Sequence, residues 1–431
     1  MPLEAAACVA LFAALASAWA VSFPAGEPPD ELFHLMYAAH IAREDRLPVM
    51  RPPEVAEVPV EGNQPPLYYR LGAIALRLTG HGTLRVEVPP RNPRSNKVGG
   101  AEPAVYEHVA TSYPWERIGR ATRVLRLVFL PAGALVVLSA YGAARLLRPQ
   151  DAAAPLLAAG FVASVPQFSF IMGAVTNDSL ANGLAAVALF GLVAAVAGGR
   201  AGPGLLAILG ALVGLGVTVK MTLAFLVPVG LVAAWLAAAP RRKVLGLAAF
   251  LVAALAVAAP LLLEYQRNYG DPFGLELNRQ MFPQRLHRPG AGYFAGTFLP
   301  VLFFSFWGVF GHMNVHLGEL YYLFLLVTAA CAVGCVLRWR RGVTASQVRV
   351  LALCGVTLLA LVASIVRYNL IFPQPQGRYA FPGLVVLALL FAEGASELIG
   401  ARRVWALALV ALLALVNLSL LFLRVLPAYA A

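Results

Sequence analysis

Runs of about twenty apolar residues recur along almost the whole of this chain, and no other feature constrains its fold as strongly. They fall near residues 5–23, 124–146, 153–173, 179–198, 204–219, 221–239, 244–263, 319–337, 347–366, 379–398 and 404–424. A run of that length matches a hydrocarbon core of about 30 Å, where every backbone polar group must be satisfied within the segment and a helix is the economical solution. Only 13% of the 431 residues are charged, against about 25% in soluble domains. The expectation is an all-α polytopic transmembrane bundle of about eleven spans, one integral membrane domain over 1–431. Its two long polar stretches, 24–122 and 264–318, are expected as loops on a single face. The first run lacks a positive leader and reads as an uncleaved span rather than a signal peptide.

Sidedness follows from the short loops. Arg145 and Arg148, Arg200, Arg241 to Lys243, Arg338 to Arg341, and Arg402 with Arg403 each sit between runs. With a cytoplasmic N-terminus all five clusters lie inside, as the positive-inside bias requires. This holds if the aromatic, glycine-rich run 293–311 is interfacial or re-entrant. The net charge of +12 is then a topological signature, and nucleic acid is excluded as the partner it would otherwise suggest. The inner face has only short connectors, with no P-loop and no dinucleotide fingerprint, so chemistry driven by a cytosolic nucleotide is excluded too. Cys8, Cys331, Cys335 and Cys354 all lie in apolar runs and read as packing residues.

The outer face holds the residues with chemistry to offer. Asp30, Glu31 and His34 follow two prolines at the start of a helical pattern, spaced to share one helix face. Adjacent carboxylates beside a histidine suit proton abstraction or a divalent cation; Asp30 alone is also a good N-cap. Asn63 to Tyr69 opens a second segment that reads as an interfacial helix, its tyrosines at headgroup depth. Glu102, Glu107 and His108 show no ligand spacing. Arg117, Arg120 and Arg123 form a basic stripe that fits either an anionic headgroup or snorkelling. Asn177 and Asp178 make a short turn, equally a cavity mouth or a helix start. Lys220 is the one lysine in the apolar region and needs an anionic partner. Arg378, with Gly377 before it and Tyr379 after it, offers a fixed guanidinium suited to phosphate. Ser305 to His312 alternates aromatics with small residues, as interfacial anchoring or a lipid-tail groove.

PPDELFH after the first run, NQPPLYY in the first loop, PQFSFIMGAVTNDSLAN at the third turn, VTVKMTLAFLVP, SFWGVFG and QGRYAFP near the end occur in an order that resembles the GT-C superfamily of membrane glycosyltransferases, closest to a group of bacterial members. The resemblance implies a polyprenyl-phosphate-linked sugar donor used on the outer face, inversion at the anomeric carbon, and an acidic residue of the first loop, Asp30 or Glu31, as base. Because acids and basic groups share one membrane face, Lys220 and Arg378 are expected to stabilise the phosphate leaving group. His34, Asn177, Asp178 and Tyr379 would line the donor site, and a divalent cation, if any, would sit on Asp30 and Glu31. The acceptor, whether glycan, lipid or protein, is not implied. The chain departs from some members in lacking a large C-terminal soluble domain. High Ala, Arg and Gly usage fits a bacterial plasma membrane. A transporter or flippase for a lipid-linked sugar is the alternative; it would show inverted repeats and ionisable residues at the midplane. A non-catalytic scaffold would tolerate loss of all these side chains.

Overall fold

The structure is a computed structural model, and it describes residues 1–107, 115–283 and 289–430; His108 lies outside them. The apolar runs form helices where the sequence places them. In chain order these are α1 (Leu3–Ser22), α2 (Glu31–Glu44), α3 (Leu67–Leu78), α4 (Trp115–Val128), α5 (Leu130–Leu147), α6 (Ala153–Ser164), α7 (Pro166–Met172), α8 (Asp178–Gly198), α9 (Pro203–Val217) and α10 (Leu226–Ala237). They continue with α11 (Lys243–Tyr269), α12 (Leu275–Met281), α13 (Ala291–Trp307), α14 (Leu320–Arg340), α15 (Ala345–Asn369), α16 (Leu384–Leu398) and α17 (Arg403–Ser419), whose helical path runs on to Ala430. Among the described residues, 8 helices are long and apolar enough to cross a bilayer, and 9 if α6 and α7 count as one span bent by 59°. Pro166 causes that bend by removing an amide donor from the helix ladder. The expected count of about eleven is reached only with α9 and the helical stretch Met221–Ala237, both shorter than a full crossing. α13 is short as well. Its 17 residues rise about 25 Å, and it ends in a small antiparallel hairpin, Val309–Phe310 with Val315–His316.

Small residues let the helices approach closely. A Cβ on Gly210 would stand 2.0 Å from the carbonyl oxygen of Phe250, which is how α9 lies along α11. In the same way, Gly334 of α14 and Gly394 of α16 meet backbone to backbone. In lipid, where there is little hydrophobic drive between helices, such contacts and buried polar pairs hold a bundle together. One such pair joins the chain's ends: Trp19 Nε1 donates to Asn417 Oδ1 at 2.8 Å, and Asn417 Nδ2 donates to Ser169 Oγ at 2.9 Å.

At the end of the bundle that carries the basic connectors, two arginines are paired with buried carboxylates. Arg148 grips Glu393 with two bonds of 2.8 and 2.6 Å, and Arg338 reaches Asp151 at 2.6 Å, where Ser396 also donates. These carboxylates were not singled out in the sequence, where the cluster reads only as a topological marker.

The first long loop packs on the opposite end. α2 and α3 lie side by side, and Tyr68 and Tyr69 are fully buried between them and the bundle, so they pack inside protein instead of anchoring an exposed interfacial face. Tyr69 stacks on Tyr37 at 3.9 Å, and Tyr68 packs against Phe129 at 4.3 Å. Glu27 fastens the far part of the loop, its buried carboxylate accepting from the amides of Val105 and Tyr106.

Candidate active site

Five separate segments bring charged groups to one place at the junction of the first loop with the bundle. Asp30 precedes α2 with φ of 61°, a left-handed conformation, and its side chain makes no capping bond. The N-cap expected of Asp30 is therefore not formed, and its carboxylate, 35% exposed, faces Arg378 at 3.4 Å. Arg378 is held from several sides. Its Nε donates to Gln376 Oε1 at 2.6 Å, its Nη1 lies 3.5 Å from Asp178 Oδ2, and its guanidinium stands 5.7 Å from the Tyr379 ring. Gly377 permits this. A Cβ there would stand 2.0 Å from the Phe306 amide nitrogen, and the Gly377 N–H donates to Ser305 Oγ at 2.7 Å. The aromatic stretch thus supports the arginine's turn.

Lys220, in the break between α9 and α10, finds its anionic partner in Asp178, with which it forms a close ion pair. Its ammonium also stands 5.9 Å from the Tyr379 ring. Asn177 donates to Gln64 Oε1 at 3.3 Å and to Val219 O at 3.4 Å, linking the α8 start to the NQPP segment and to the Lys220 turn. The structure therefore brings together Asp30, His34, Asn177, Asp178, Lys220, Arg378 and Tyr379.

Glu31 does not join them. The chain turns at Asp30, so the two neighbouring carboxylates point apart. Glu31 is sealed, with no exposed side-chain surface. Arg126 Nε and Nη2 donate to it at 2.8 and 2.7 Å, and the amides of Val175 and Gly26 donate at 2.8 Å each. Arg126 spends its remaining donors on the carbonyls of Ala20, Phe23 and Pro24. With every lone pair taken, Glu31 can neither accept a substrate proton nor hold a cation. The Asp30–Glu31 pair does not fit a divalent metal, and among the described residues no group of three His, Cys, Asp or Glu side chains is arranged to hold a metal ion. Arg126 was missed although it continues the three-residue spacing of Arg117, Arg120 and Arg123. That stripe turns inward at its fourth member.

A second residue was missed. Glu61, two residues before the NQPP segment, is buried with its Oε2 3.7 Å from His34 Nδ1. His34 Nδ1 also lies 2.8 Å from the Tyr69 hydroxyl. Burial lowers the His34 pKa to about 3, so the ring is neutral. Burial, then the nearby Asp30 charge, raises Glu61 to about 8 despite Lys220 and Arg378.

Residues 117–263 match a family profile described as dolichyl-phosphate-mannose-protein mannosyltransferase. No curated protein sequence matches the chain. Among solved structures, it is similar to ArnT from Cupriavidus metallidurans bound to undecaprenyl phosphate, at 16% identity over 98% of this chain and 74% of that one, with a TM-score of 0.54. It is also similar to an oligosaccharyltransferase from Archaeoglobus fulgidus tethered with an acceptor peptide, at 16% identity and a TM-score of 0.51; 99% of this chain covers 54% of that one. The likeness to both structures shows the fold: the chain has the GT-C membrane fold.

Proposed function

We propose that the protein is a membrane glycosyltransferase that moves a sugar from a polyprenyl-phosphate-linked donor to a hydroxyl acceptor on the extracytoplasmic face. The observation that carries this reading is the cluster of a part-exposed carboxylate, Asp30, beside two cations, Arg378 and Lys220, that Asp178 and Tyr379 hold in place. That is the charge arrangement needed where one group must lose a proton and another must leave as an anion. The similarity to a structure bound to undecaprenyl phosphate supports a lipid-linked donor.

In this mechanism Arg378 and Lys220 bind the donor phosphate, with the lipid tail between the spans. Asp30 takes the proton of the acceptor hydroxyl as its oxygen attacks the anomeric carbon from the face opposite the phosphate. The bond from anomeric carbon to phosphate oxygen breaks, and its electron pair stays on the phosphate. The two cations stabilise that growing charge. Inversion follows from the single displacement. Neutral His34, fixed by Tyr69, lines the same mouth. Glu31 takes no part in the reaction. Its bonds to Arg126 and to the Val175 amide tie the α2 start to the Asp178 turn, which sets Asp30 against Arg378.

The test is transfer by purified protein in detergent, with a panel of radiolabelled polyprenyl-phosphate sugars. Asp30→Asn is expected to lower the rate about 10²- to 10⁴-fold, and Arg378→Ala about 10²- to 10³-fold. Full transfer by both variants would overturn the assignment. If no donor turns over while labelled lipid crosses the membrane of proteoliposomes, the protein is a flippase instead.

A further inference from the structure

Glu61 is a buried acid that the transfer mechanism leaves without a task. It lies in the loop between a short hairpin, Met50–Arg51 with Val55–Ala56, and α3. The loop is tightly wound: Val60 before it is left-handed at φ of 67°, and a Cβ on Gly62 after it would stand 2.5 Å from Met50 Sδ and 2.6 Å from Val58 O. Among the described residues, no hydrogen bond reaches the Glu61 carboxyl oxygens. His34 Nδ1 stands 3.7 Å from Glu61 Oε2 and is itself within bonding distance of the Tyr69 hydroxyl. His34 lies one helical turn along α2 from Asp30, so its contact with Glu61 places that carboxyl beside the candidate site.

An ionised carboxylate buried without a donor is expensive, and the group takes a proton instead. Burial, with the Asp30 charge nearby, shifts Glu61 upward and favours its protonated carboxyl. It then differs in kind from Asp30 and Asp178, which face cations and can only accept. A protonated carboxyl has one O–H to give and one carbonyl oxygen to offer. A phosphate, which only accepts and carries charge, is matched by Lys220 and Arg378. A hydroxyl, which both donates and accepts, is matched by Glu61.

We infer that Glu61 recognises the sugar of the lipid-linked donor, its carboxyl O–H donating to a sugar hydroxyl beside the phosphate held by Arg378 and Lys220. This rests on the glycosyltransferase reading and deepens it. A site built to bond a hydroxyl discriminates strongly against a ligand without one, because its own polar group is then left unpaired.

The experiment compares binding of a radiolabelled polyprenyl-phosphate sugar with binding of bare polyprenyl phosphate, using full-length protein in detergent at pH 7. Wild type is expected to prefer the sugar-bearing lipid. Glu61→Ala should lose about tenfold or more in affinity for that lipid, the scale of one lost hydroxyl contact, with bare-lipid affinity unchanged. Glu61→Gln keeps a donor and an acceptor and should stay close to wild type, which also separates recognition from misfolding. Arg378→Ala should weaken both lipids alike. Equal loss of both lipids in Glu61→Ala, or no loss, would overturn the inference and leave the donor reading standing. So would equal binding of the two lipids by wild type. Absence of wild-type binding to either lipid would overturn both.

Discussion

Asp30 and Glu31 are adjacent carboxylates that a sequence treats alike, and the fold gives them opposite fates. Asp30 stands in the mouth, and substituting it removes a charge from a half-open site. Glu31 is locked to Arg126 with no exposed side-chain surface. Breaking one partner of a buried pair leaves an uncompensated charge, at about 3–5 kcal/mol. Glu31→Gln and Arg126→Ala should therefore lower thermal stability in detergent by a margin of that order, while Asp30→Asn keeps the wild-type melting temperature; the reverse pattern would contradict the assigned roles. Glu61 and His34 add a pH dependence with opposite signs. Glu61 rises on folding from 4.5 to about 8, so its stabilisation is full below 4.5 and is lost as pH climbs through 8. His34 falls from 6.5 to about 3, so its stabilisation is full above 6.5 and is lost as pH drops through 3. Glu61→Gln should flatten the decline of melting temperature between pH 4.5 and 8 and leave the dependence below pH 4.5 unchanged.

Between elements, glycine sets how closely helices meet. A Cβ on Gly394 of α16 would stand 1.9 Å from the Cys331 carbonyl oxygen of α14. Backbone cannot retreat as a flexible side chain can, so Gly394→Leu should part the two helices and sharply reduce the yield of folded protein on size-exclusion chromatography. Gly355 of α15 has nothing within 4 Å of an added Cβ. Gly355→Ala should be neutral or stabilising by up to about 1 kcal/mol, the helix-propensity difference. A disruptive effect of Gly355→Ala would mean that α15 packs against something absent from the single chain.

Across the whole molecule, the candidate site and the arginine network occupy opposite ends of the bundle. Arg378 sits in the turn before α16, and Ser396 and Glu397 close its far end. That separation is about 30 Å, one hydrocarbon thickness. If the arginine end is cytoplasmic, the site opens outside. The four native cysteines are free and buried, which keeps background labelling low. In intact cells a membrane-impermeant maleimide should label Val98→Cys in the first loop and reach Arg341→Cys only after lysis. Both positions are well exposed, at 59% for Val98 and 78% for the Arg341 side chain. The opposite labelling would invert the orientation and place the chemistry inside.

By itself the sequence determined the helices, because an apolar run in lipid must satisfy its own backbone, and that requirement is local. It also marked Asp30, Lys220 and Arg378, since a charge beside apolar residues is conspicuous without any knowledge of its partner. Other features were decided only by the tertiary structure. Glu31 and Arg126 are 95 residues apart, and nothing in the composition around Arg126 separates it from the exposed arginines before it. Glu61 reads as one more loop acid until His34 and Asp30 are seen beside it. Which acid is sealed, which faces the mouth and which holds its proton depends on distances and burial between remote segments, because electrostatic energies are set by proximity and local dielectric.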